Sequence, residues 1–508
     1  MTRFFRAVVL ASVVPALLFA VDLPTPEPLR VTMDVADLAI IDAPPPTERR
    51  LLVGVTKAAN AEVDFSGVTA AMLAGGGQNL AFGRIEKTDA GFRWTGQIES
   101  SGASALRVHF TEFNLPSNAT LTLSNGLGEA YSYAGRGPLD SGEFWSNTVG
   151  GDSVVVTVNY AGNDVGRVLQ ALRFMVADIG PLSSKFPVAD EQASTLCSYN
   201  VECIENAGCG TLPSAVTVAR EAAAMILFVS GPYQYICSGG LVADGDTSTH
   251  IPYFLTANHC LSSSTSASSL EAYFDYKIAC GGTCPSSLGA YPRVLGSTVS
   301  ATNKTSDFTL LRLNAAAPAY DGRQRQFLAT NNTAVSGNHN LALYRISHPA
   351  GAPQAYSAQT VDTSRPTCRS WPRGSWIYSS DTYGATEGGS SGSPVVNASG
   401  QVVGQLSGAC GYNVNDPCDT ASNATVDGAL AAYWSQVEPF LGGGDGGGCS
   451  PTTEVCDGVD NDCDGEVDEG GVCDTGGCTV GGSGAPCTAN GDCCSGNCKG
   501  KPGAKTCK

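Results

Sequence analysis

The stretch Glu387-Gly388-Gly389-Ser390-Ser391-Gly392-Ser393-Pro394 decides the predicted fold. Two apolar runs follow it, joined by a turn at Ser399-Gly400, and a glycine-rich bend leading into a hairpin is typical of β-sheet proteins. Glycines let a backbone turn so tightly that neighbouring amides converge on one point, where they can stabilise an oxyanion. The stretch therefore predicts a nucleophilic serine at Ser391, with the amides of Gly389 and Ser391 as oxyanion donors.

A nucleophilic serine needs a base, and the base needs an orienting acid. Upstream, the run Tyr253-Phe254-Leu255-Thr256-Ala257 reads as an apolar strand that ends just before His259. Between the two motifs, Asp307 opens the alternating run Phe308–Leu313. Each of these residues alone has an ordinary structural explanation. Their order along the chain predicts that His259 is the general base, Asp307 its orienting carboxylate and Ser391 the nucleophile.

Four local strings carry a family resemblance: Y-F-L-T-A-x-H-C, T-S-D-F-T-L-L, T-E-x-G-S-S-G-S-P and V-x-G-Q-L. A fifth, C-x5-C, lies at Cys197 and Cys203. Over about residues 190–440 the chain resembles the lysyl endopeptidase branch of the bacterial trypsin-like serine proteases. The resemblance implies a chymotrypsin-like double β-barrel and a serine endopeptidase that needs no cofactor for catalysis.

Composition agrees with a secreted, β-rich protein. Of 508 residues, 42% are hydrophobic and 15% charged, and 61 are glycine, which argues against a disordered or coiled-coil chain. The net charge of −18 argues against a nucleic-acid partner. The 20 cysteines fall into even-numbered clusters within 197–418, 449–473 and 478–507, a pattern that favours disulfides formed in an oxidising compartment.

The N-terminus predicts export. Arg3 and Arg6 precede the apolar run Ala7–Ala20, which is short for a membrane span, so residues 1–20 are predicted to be a signal peptide. A retained N-terminal anchor is the alternative. No other run is long enough to span a bilayer, and the predicted location of the mature protein is extracellular.

The remaining chain divides by composition. A proline-rich extended leader is predicted over 21–79 and a β-rich domain over 80–180, where short alternating runs are separated by glycine and asparagine turns. This domain resembles the propeptides of bacterial proteases, which implies folding assistance and inhibition until cleavage. A permanent binding domain is the alternative. The junction is predicted between about 180 and 196, ahead of the protease domain at 190–441.

The fold class predicted is mainly β: a chymotrypsin-like double β-barrel, preceded by a β-sandwich prodomain and followed by small disulfide-rich modules. A glycine-rich linker at 442–448 leads to an acidic motif at 449–475 and a module at 478–508. The last module has the pattern C-x8-C-x5-C-C-x3-C-x8-C, which resembles a cystine-knot miniprotein. About thirty residues cannot bury an adequate core, so disulfides must supply its stability.

The acidic motif is a candidate metal site. Its alternating carboxylates followed by a glycine resemble the start of an EF-hand loop, and hard oxygen ligands suit Ca²⁺. The motif also resembles a short cysteine-containing metal-binding motif of secreted myxobacterial proteins. The predicted ligands are Asp460, Asp462, Asp464 and Asp468. A solvated acidic disulfide loop is the alternative.

The family resemblance also implies three disulfides in the protease domain. They join Cys237 to Cys260, Cys203 to Cys280, and Cys197 to either Cys410 or Cys418. The pairing of the remaining cysteines is left open.

Substrate preference is open as well. Relatives that cut after basic residues place an acid six residues before the serine, where this chain has Ala385. Lysyl endopeptidases instead use an aspartate at the position of Thr425, and a histidine at the position of Ser407. Asp416 or Asp419 could supply the acid if their loop is rearranged. Lysine specificity and a preference for small or uncharged residues are both possible readings.

Two classes of function follow. The first is an exported serine endopeptidase made as a zymogen, acting on proteins or peptides. The second is a catalytically inert protease homologue that serves as a secreted or surface binding protein, held to an extracellular ligand by its C-terminal modules.

Overall fold

The computed structural model describes residues 25–45, 48–126, 128–186, 201–246, 249–282, 285, 288–368, 370–442, 498–501 and 504–507. The predicted signal peptide, the acidic motif and most of the last module lie outside the described residues. No helix within these ranges is long and apolar enough to cross a membrane.

The N-terminal domain occupies residues 25–186 and is built mainly from short strands. Its elements are β1 (Leu29–Arg30), α1 (Val35–Asp42), β2 (Leu51–Val55), β3 (Lys57–Asp64), α2 (Ala70–Ala74), β4 (Gln78–Leu80), β5 (Gly83–Thr88), β6 (Gly91–Glu99), β7 (Ala105–Thr111), β8 (Ala119–Ser124), β9 (Ala130–Tyr133), β10 (Phe144–Trp145), β11 (Val149–Gly150), β12 (Ser153–Ala161), α3 (Val165–Ala171) and β13 (Arg173–Leu182).

Two sheets form a sandwich in this domain. One has the order β4-β5-β6-β12-β8-β9, with β1 paired to β6, and the other is built around β7, β13 and β3. Alternating apolar residues face the space between the sheets, as period-two strands require. Trp94 of the first sheet meets Phe174 of the second edge to face, with ring centroids 6.0 Å apart, and both rings are buried.

The leader predicted to be extended over 21–79 is different in the structure. Residues 29–80 contribute two helices and four strands to the N-terminal domain, so the domain begins well before residue 80. Asp34 caps α1 by accepting from the amides of Ala36 and Asp37, which stabilises the helix start. The prolines are compatible with this order because they precede β1 or follow α1.

The first barrel of the protease domain follows α4 (Thr217–Ala222). Its strands are β15 (Ala223–Ser230), β16 (Tyr233–Leu241), β17 (Tyr253–Ala257), β18 (Glu271–Phe274), β19 (Arg293–Leu295), β20 (Ser297–Asn303) and β21 (Phe308–Leu313), with α5 (Ser264–Ser268) between β17 and β18. The pairing order β18-β15-β16-β17-β21-β20 closes through β19, which pairs with β18 and runs into β20.

The second barrel consists of β22 (Ala342–Ser347), β23 (Ala355–Val361), β24 (Trp376–Tyr383), β25 (Pro394–Val396), β26 (Val402–Gly411) and β27 (Asn423–Ala429), with β14 (Glu205–Asn206) added at β23. A pairing between β23 and β24 closes the ring. Short 3₁₀ turns lie at Ser214–Val216, Leu288–Ala290 and Pro349–Gly351. The predicted mainly β fold class, with a double barrel behind a sandwich, is confirmed.

The chain of the protease domain ends in α6 (Leu430–Leu441), which buries Leu430, Tyr433 and Val437 on one face. The helix continues two residues past Pro439, because Leu441 is buried and holds the last turn on the barrel. Farther on, the described residues of the last module form a hairpin of β28 (Cys498–Lys501) and β29 (Ala504–Cys507).

Four disulfides lie in the described part of the protease domain. The bridge between Cys237 and Cys260 is as expected from the resemblance. The expected pair Cys203–Cys280 is wrong, because Cys203 bonds to Cys418 and Cys280 to Cys209. The expected partner of Cys197 is also wrong, because Cys410 is bonded to Cys368 and Cys418 to Cys203. These pairings follow from which loops meet in the fold, and sequence spacing does not contain that information.

The N-terminal domain and the first barrel share one sheet of 13 strands, because β2 pairs with β13 on one edge and with β16 on the other. Buried charges also join them. Glu271 of β18 accepts hydrogen bonds from Asn147 and Thr148 of the N-terminal domain and pairs with Arg293 at 3.1 Å. Burial opposes ionisation of Glu271, but the charges of Arg293 and Arg107 hold its pKa below the usual range.

Candidate active site between the barrels

The structure brings His259 and Asp307 together at the cleft between the two barrels. Asp307 Oδ2 lies 2.7 Å from His259 Nδ1, and Asp307 Oδ1 accepts the backbone amide of His259 at 2.8 Å. His259 follows the end of β17 and Asp307 precedes β21, and these two strands are paired. The contact holds the Nδ1 side of the imidazole, which leaves Nε2, 3.9 Å from Cys260 Sγ, as the nitrogen that can act as a base.

The backbone that presents Asp307 is held from the second barrel. Asp307 has a φ of +52°, an unusual conformation for a non-glycine residue. Gln405 Nε2 donates to the carbonyl oxygens of Ser306 and Asp307 at 3.2 and 3.1 Å, and Tyr433 of α6 donates to the other side of the Gln405 amide. Phe308 stacks on Tyr433 with centroids 4.0 Å apart. The closing helix therefore fixes the position of the acid.

The loop that carries Ser391 depends on two glycines. Gly392 has a φ of +85°, and a Cβ there would lie 2.2 Å from Thr256 Oγ1. Gly389 has a φ of +98°, and its Cβ would lie 2.7 Å from the carbonyl oxygen of His348. At both positions a side chain would clash with the neighbouring atom, and the positive φ is unfavourable for any residue other than glycine. Ser238 holds the loop, since its amide donates to the Ser391 carbonyl and its hydroxyl to that of Gly389, both at 2.8 Å.

The amides of Gly389 and Ser391, predicted as the oxyanion donors, point away from the hydrogen bonds that hold their loop in place. The Gly388 carbonyl accepts from the Ala350 amide at 2.7 Å, and the Ser390 carbonyl accepts from the Ser393 amide at 3.1 Å. In a trans peptide the N–H points opposite to the carbonyl oxygen, so the amides of Gly389 and Ser391 face the other way. Among the described residues neither amide donates to a protein acceptor.

A segment of the N-terminal domain lies in the cleft. Arg49 Nη1 is 3.3 Å from Asp307 Oδ2 and 3.2 Å from the Ser407 carbonyl, and Ser391 Oγ is 3.5 Å from the Arg49 carbonyl oxygen. The guanidinium of Arg50 lies 3.7 Å from the centroid of the Tyr235 ring. Sequence reasoning missed this segment, although the charged triplet Glu48-Arg49-Arg50 before an apolar run was a signal of a strand entering a polar site.

The environment of the histidine favours its neutral form. Burial lowers the pKa of His259, and the charges of Arg49 and Arg50 lower it further, while Asp307 opposes both effects. Burial also works against ionisation of Asp307, but the hydrogen bond from His259 and the charge of Arg49 hold its pKa below the usual range. At neutral pH the pair is therefore a neutral imidazole beside a carboxylate.

The residues that the sequence offers as determinants of substrate preference lie in different parts of the second barrel. Ala385 is buried, and Ser407 is buried with no partner for its hydroxyl. Asp416 and Asp419 stay in their own loop, where they accept hydrogen bonds from Cys418 and from Asn413. Neither reaches Thr425, so the rearranged loop is absent from the described fold.

Asp381 of β24 is the acid that meets Thr425, and sequence reasoning did not find it. The Thr425 hydroxyl lies 2.9 and 3.0 Å from the two carboxylate oxygens. Burial raises the pKa of Asp381 to about 6, with the charge of Asp427 adding to the rise, and Thr425, Arg345 and Arg365 opposing it. Asp381 forms no ion pair among the described residues, since Arg345 pairs with Asp427.

One group of potential metal ligands lies at this site, formed by Cys237, His259 and Cys260. The two cysteines are joined in a disulfide, so they offer no thiolate. The group does not fit a metal ion.

Two closed β-barrels with this cleft between them define a chymotrypsin-like protease domain. Residues 191–422 match the family model for the lysyl endopeptidase C-terminal domain. The chain is 24% identical over 367 residues to the lysyl endopeptidase of Pseudomonas aeruginosa, covering 68% of this chain and 74% of the relative. The predicted resemblance is confirmed: residues 191–422 are similar to the protease domain of lysyl endopeptidases.

Solved structures are more distant. The HtrA-type protease AlgW with tripeptide is 14% identical, with a TM-score of 0.31, and covers 45% of this chain; the chain spans 62% of the AlgW length. The Rv3671c protease from M. tuberculosis, active form, is also 14% identical, with a TM-score of 0.30. The match covers 48% of this chain and 93% of the Rv3671c chain.

Proposed function

We propose that the protein is a secreted serine endopeptidase, made as a zymogen, that hydrolyses peptide bonds through Ser391, His259 and Asp307. The observation that carries the proposal is the 2.7 Å contact between His259 Nδ1 and Asp307 Oδ2, beside a serine held in a glycine-tight loop. The lysyl endopeptidase relative supports a peptidase with protein substrates.

In the proposed reaction, Ser391 Oγ attacks the carbonyl carbon of the scissile bond while His259 Nε2 accepts its proton. The tetrahedral oxyanion lies against the amides of Gly389 and Ser391. As it collapses, His259 donates the proton to the leaving amine, which leaves an acyl-enzyme on Ser391. Water, deprotonated by His259, then attacks the acyl carbon, and His259 returns the proton to Ser391 Oγ as the ester bond breaks and the acid product leaves. Asp307 keeps the imidazole in the required tautomer and stabilises the imidazolium.

A fluorophosphonate probe tests the proposal, because only a competent serine is labelled. The secreted, processed protein is expected to react and to cleave peptides, and the Ser391→Ala variant to do neither. A processed protein that is folded, unlabelled and without peptide hydrolysis would instead favour the inert binding homologue.

For substrate preference we propose that a basic side chain on the acyl side of the cleaved bond binds at Asp381. Strand pairing connects the surroundings of Asp381 to the cleft. Thr425, which contacts Asp381, pairs with Ala409 across β26 and β27. Ala409 lies two residues from Ser407, whose carbonyl oxygen contacts Arg49 in the cleft. Two neighbours of Asp381 are buried and have polar side-chain atoms without a hydrogen-bond partner. They are Gln359, which pairs with Asp381 across the sheet, and Ser379, two residues before Asp381 in the chain. A carboxylate without a cationic partner in such a setting favours a lysine or arginine head group.

Peptide substrates that differ at this one residue test the preference. Asp381→Asn is expected to lower kcat/KM for lysine and arginine substrates by roughly 100-fold, and for alanine or leucine substrates by far less. Asp416→Asn, in the exposed loop, is the matched control and should change neither. Equal losses on charged and uncharged substrates, or a wild-type enzyme that ignores basic residues, would exclude Asp381 from this role.

Secretion and zymogen processing are part of the same proposal. The run Ala7–Ala20 after Arg3 and Arg6, together with the disulfides, supports export to an oxidising compartment. Sequencing the N-terminus of the extracellular protein tests both points. A start between about 180 and 196 supports processing, and a start at Met1 contradicts it.

Calcium binding at Asp460, Asp462, Asp464 and Asp468 stays a proposal about residues outside the described ranges. Titration calorimetry of the full chain with Ca²⁺ is expected to show one site that the Asp460→Asn, Asp462→Asn double variant loses. Heat release that is identical in the two proteins would contradict the assignment.

A further inference from the structure

The loop that carries Ser391 packs against a second loop, residues 348–352 (the support turn), which directly follows β22. The Ala350 amide donates to the Gly388 carbonyl oxygen at 2.7 Å. The Gly388 carbonyl and the Gly389 amide belong to one peptide unit, so this bond sets the direction in which the proposed oxyanion donor points. A Cβ on Gly389 would lie 3.1 Å from the Ala350 nitrogen, so the two loops are in close contact.

A buried hydroxyl makes a second connection between the two loops. Ser238 Oγ accepts from the His348 amide at 2.9 Å and donates to the Gly389 carbonyl oxygen at 2.8 Å. Both Ser238 and His348 are no more than 1% exposed, so water does not compete for these bonds. The position of the Gly389 peptide therefore depends on where the support turn lies.

The support turn holds a conformation that its own sequence does not favour. Ala350 has a φ of +50°, which is unfavourable for a residue with a Cβ. Such backbone persists when its surroundings fix it. The Ala352 amide donates to the Pro349 carbonyl oxygen at 2.8 Å. The His348 side chain adds a further bond across the turn, because its Nδ1 lies 2.9 Å from the Ala352 carbonyl oxygen.

The proton of the His348 side chain can be placed from its contacts. Burial lowers the pKa of His348 to about 4, with the hydrogen bond to Ala352 opposing the shift, so the ring is neutral at neutral pH. A carbonyl oxygen can only accept, so the single ring proton lies on Nδ1. Nε2 is buried and has no hydrogen-bond partner among the residues that the structure describes. The ring is thus placed to donate to the support turn.

An aromatic neighbour fixes the ring in this orientation. Tyr276 stacks on His348 with ring centroids 5.7 Å apart and planes 6° from parallel. The Tyr276 carbonyl oxygen also accepts from the Gln354 amide at 2.8 Å, just beyond the support turn. Rotation of the imidazole would therefore lose both the stacking on Tyr276 and the bond to Ala352.

We propose that His348 is a positioning residue for the proposed reaction: its Nδ1–H holds the support turn, which keeps the Gly388 carbonyl, and with it the Gly389 amide, in the orientation that receives the oxyanion. His348 does not touch the substrate in this scheme. Its loss would let the Gly388–Gly389 peptide rotate, which removes one of the two oxyanion donors while the base and its carboxylate stay in place. The inference rests on the proposed peptidase function and adds a residue on which its transition state depends.

Three substitutions at one position test the proposal in the processed enzyme. His348→Leu removes the donor and is expected to lower kcat roughly 100-fold, with KM within about twofold of wild type. His348→Asn places an amide N–H where Nδ1 lies and should restore kcat to within about fivefold of wild type. His348→Gln carries the same amide one bond farther from the backbone, so it should not restore kcat. His250→Leu, at an exposed histidine that contacts the Thr249 carbonyl, is the matched control and should change neither parameter.

Inhibitor binding gives a readout that does not depend on how much of each variant is folded. A peptide aldehyde forms a hemiacetal with Ser391 Oγ, and the oxygen of this adduct needs the oxyanion donors. The matched peptide alcohol fills the same cleft and forms no adduct. His348→Leu is expected to weaken binding of the aldehyde by roughly 100-fold and of the alcohol by less than about threefold.

The outcomes separate this inference from the peptidase proposal. An active wild type beside a folded His348→Leu variant with unchanged kcat would overturn the inference, and so would equal kcat values in His348→Asn and His348→Gln. Equal losses of affinity for the aldehyde and the alcohol would show a structural role only, and would overturn it as well. If His348→Leu does not fold, the comparison of the two amide variants decides. A folded, processed wild type that neither cleaves peptides nor binds the aldehyde would instead contradict the peptidase proposal, and this inference with it.

Discussion

The N-terminal and protease domains are both β-rich and closely packed, but their stability comes from different sources. Residues 25–186 contain no cysteine, and their core depends on aromatic packing around Trp94, Phe65 and Phe110. The described part of the protease domain carries four disulfides, which join segments as far apart as Cys203 and Cys418. Cross-links restrict the unfolded chain of the protease but not that of its neighbour.

This difference fits the proposed roles of the two domains. A domain that must be removed benefits from a core that unfolds as a unit and is then open to digestion. A secreted protease benefits from bridges that keep its loops resistant to the same digestion. The bridge next to His259 lies in the domain that is proposed to persist.

The largest effect is expected from Ser391→Ala, which should lower kcat by roughly 10⁴–10⁶. If the mature enzyme removes its own N-terminal domain, this variant should also accumulate with that domain intact. Turnover of purified protein on a peptide substrate is the measurement, with Ser390→Ala as a neighbouring control. Turnover that survives in Ser391→Ala would mean that Ser391 is not the nucleophile.

Trp94→Ala should destabilise the N-terminal domain by about 3–5 kcal/mol, because the buried indole contacts Phe82 and Phe65 and leaves a large cavity. The matched change Trp376→Ala, in the second barrel, should leave the N-terminal domain stable. Urea unfolding followed by limited digestion, in the Ser391→Ala background, separates the two domains. Equal resistance of the N-terminal domain in both variants would contradict its dependence on this core.

Removing the bridge near the histidine, by Cys237→Ala with Cys260→Ala, should cost about 2–4 kcal/mol in the protease domain. A reducing agent should act in the same direction on the wild-type protein, while the cysteine-free N-terminal domain keeps its stability. Thermal unfolding with and without reductant is the measurement. A parallel shift of both domains would show that their stabilities are not separate.

The smallest effect concerns pH. Burial lowers the pKa of His259, so the base form persists below the ordinary histidine value of about 6.5. We expect kcat/KM of the processed enzyme to fall about tenfold per pH unit below a midpoint lower than that value. In the uncut Ser391→Ala chain, Arg49 and Arg50 should lower the imidazole pKa further, and NMR titration of the two forms checks this. A pH profile that shows no fall anywhere below about pH 6.5 would contradict a histidine base.

Much of the candidate site was predictable because its signals are local. An apolar strand before His259, an alternating strand after Asp307 and a glycine bend at Ser391 are each read from fewer than about ten residues. Chain order then assigns the roles. The roles themselves stay predictions, which the experiments above address.

Other features were not predictable from these signals. The leader predicted over 21–79 was expected to be extended because its prolines were visible and its sheet partners were not. The pairing of Cys203 with Cys418 spans 215 residues, and spacing alone does not show which loops meet. Asp381 gained its interest only from its contact with Thr425.

The sequence by itself determined the mainly β class, the order of the three polar groups and the glycines that only a tight turn explains, because strand alternation and backbone sterics act between neighbours. Only the tertiary structure decided that β2 completes a sheet with β16, and that Arg49 reaches Asp307 across 258 positions of the chain. Strand pairing and ion pairs between distant segments depend on where the whole chain folds, and no local pattern encodes them.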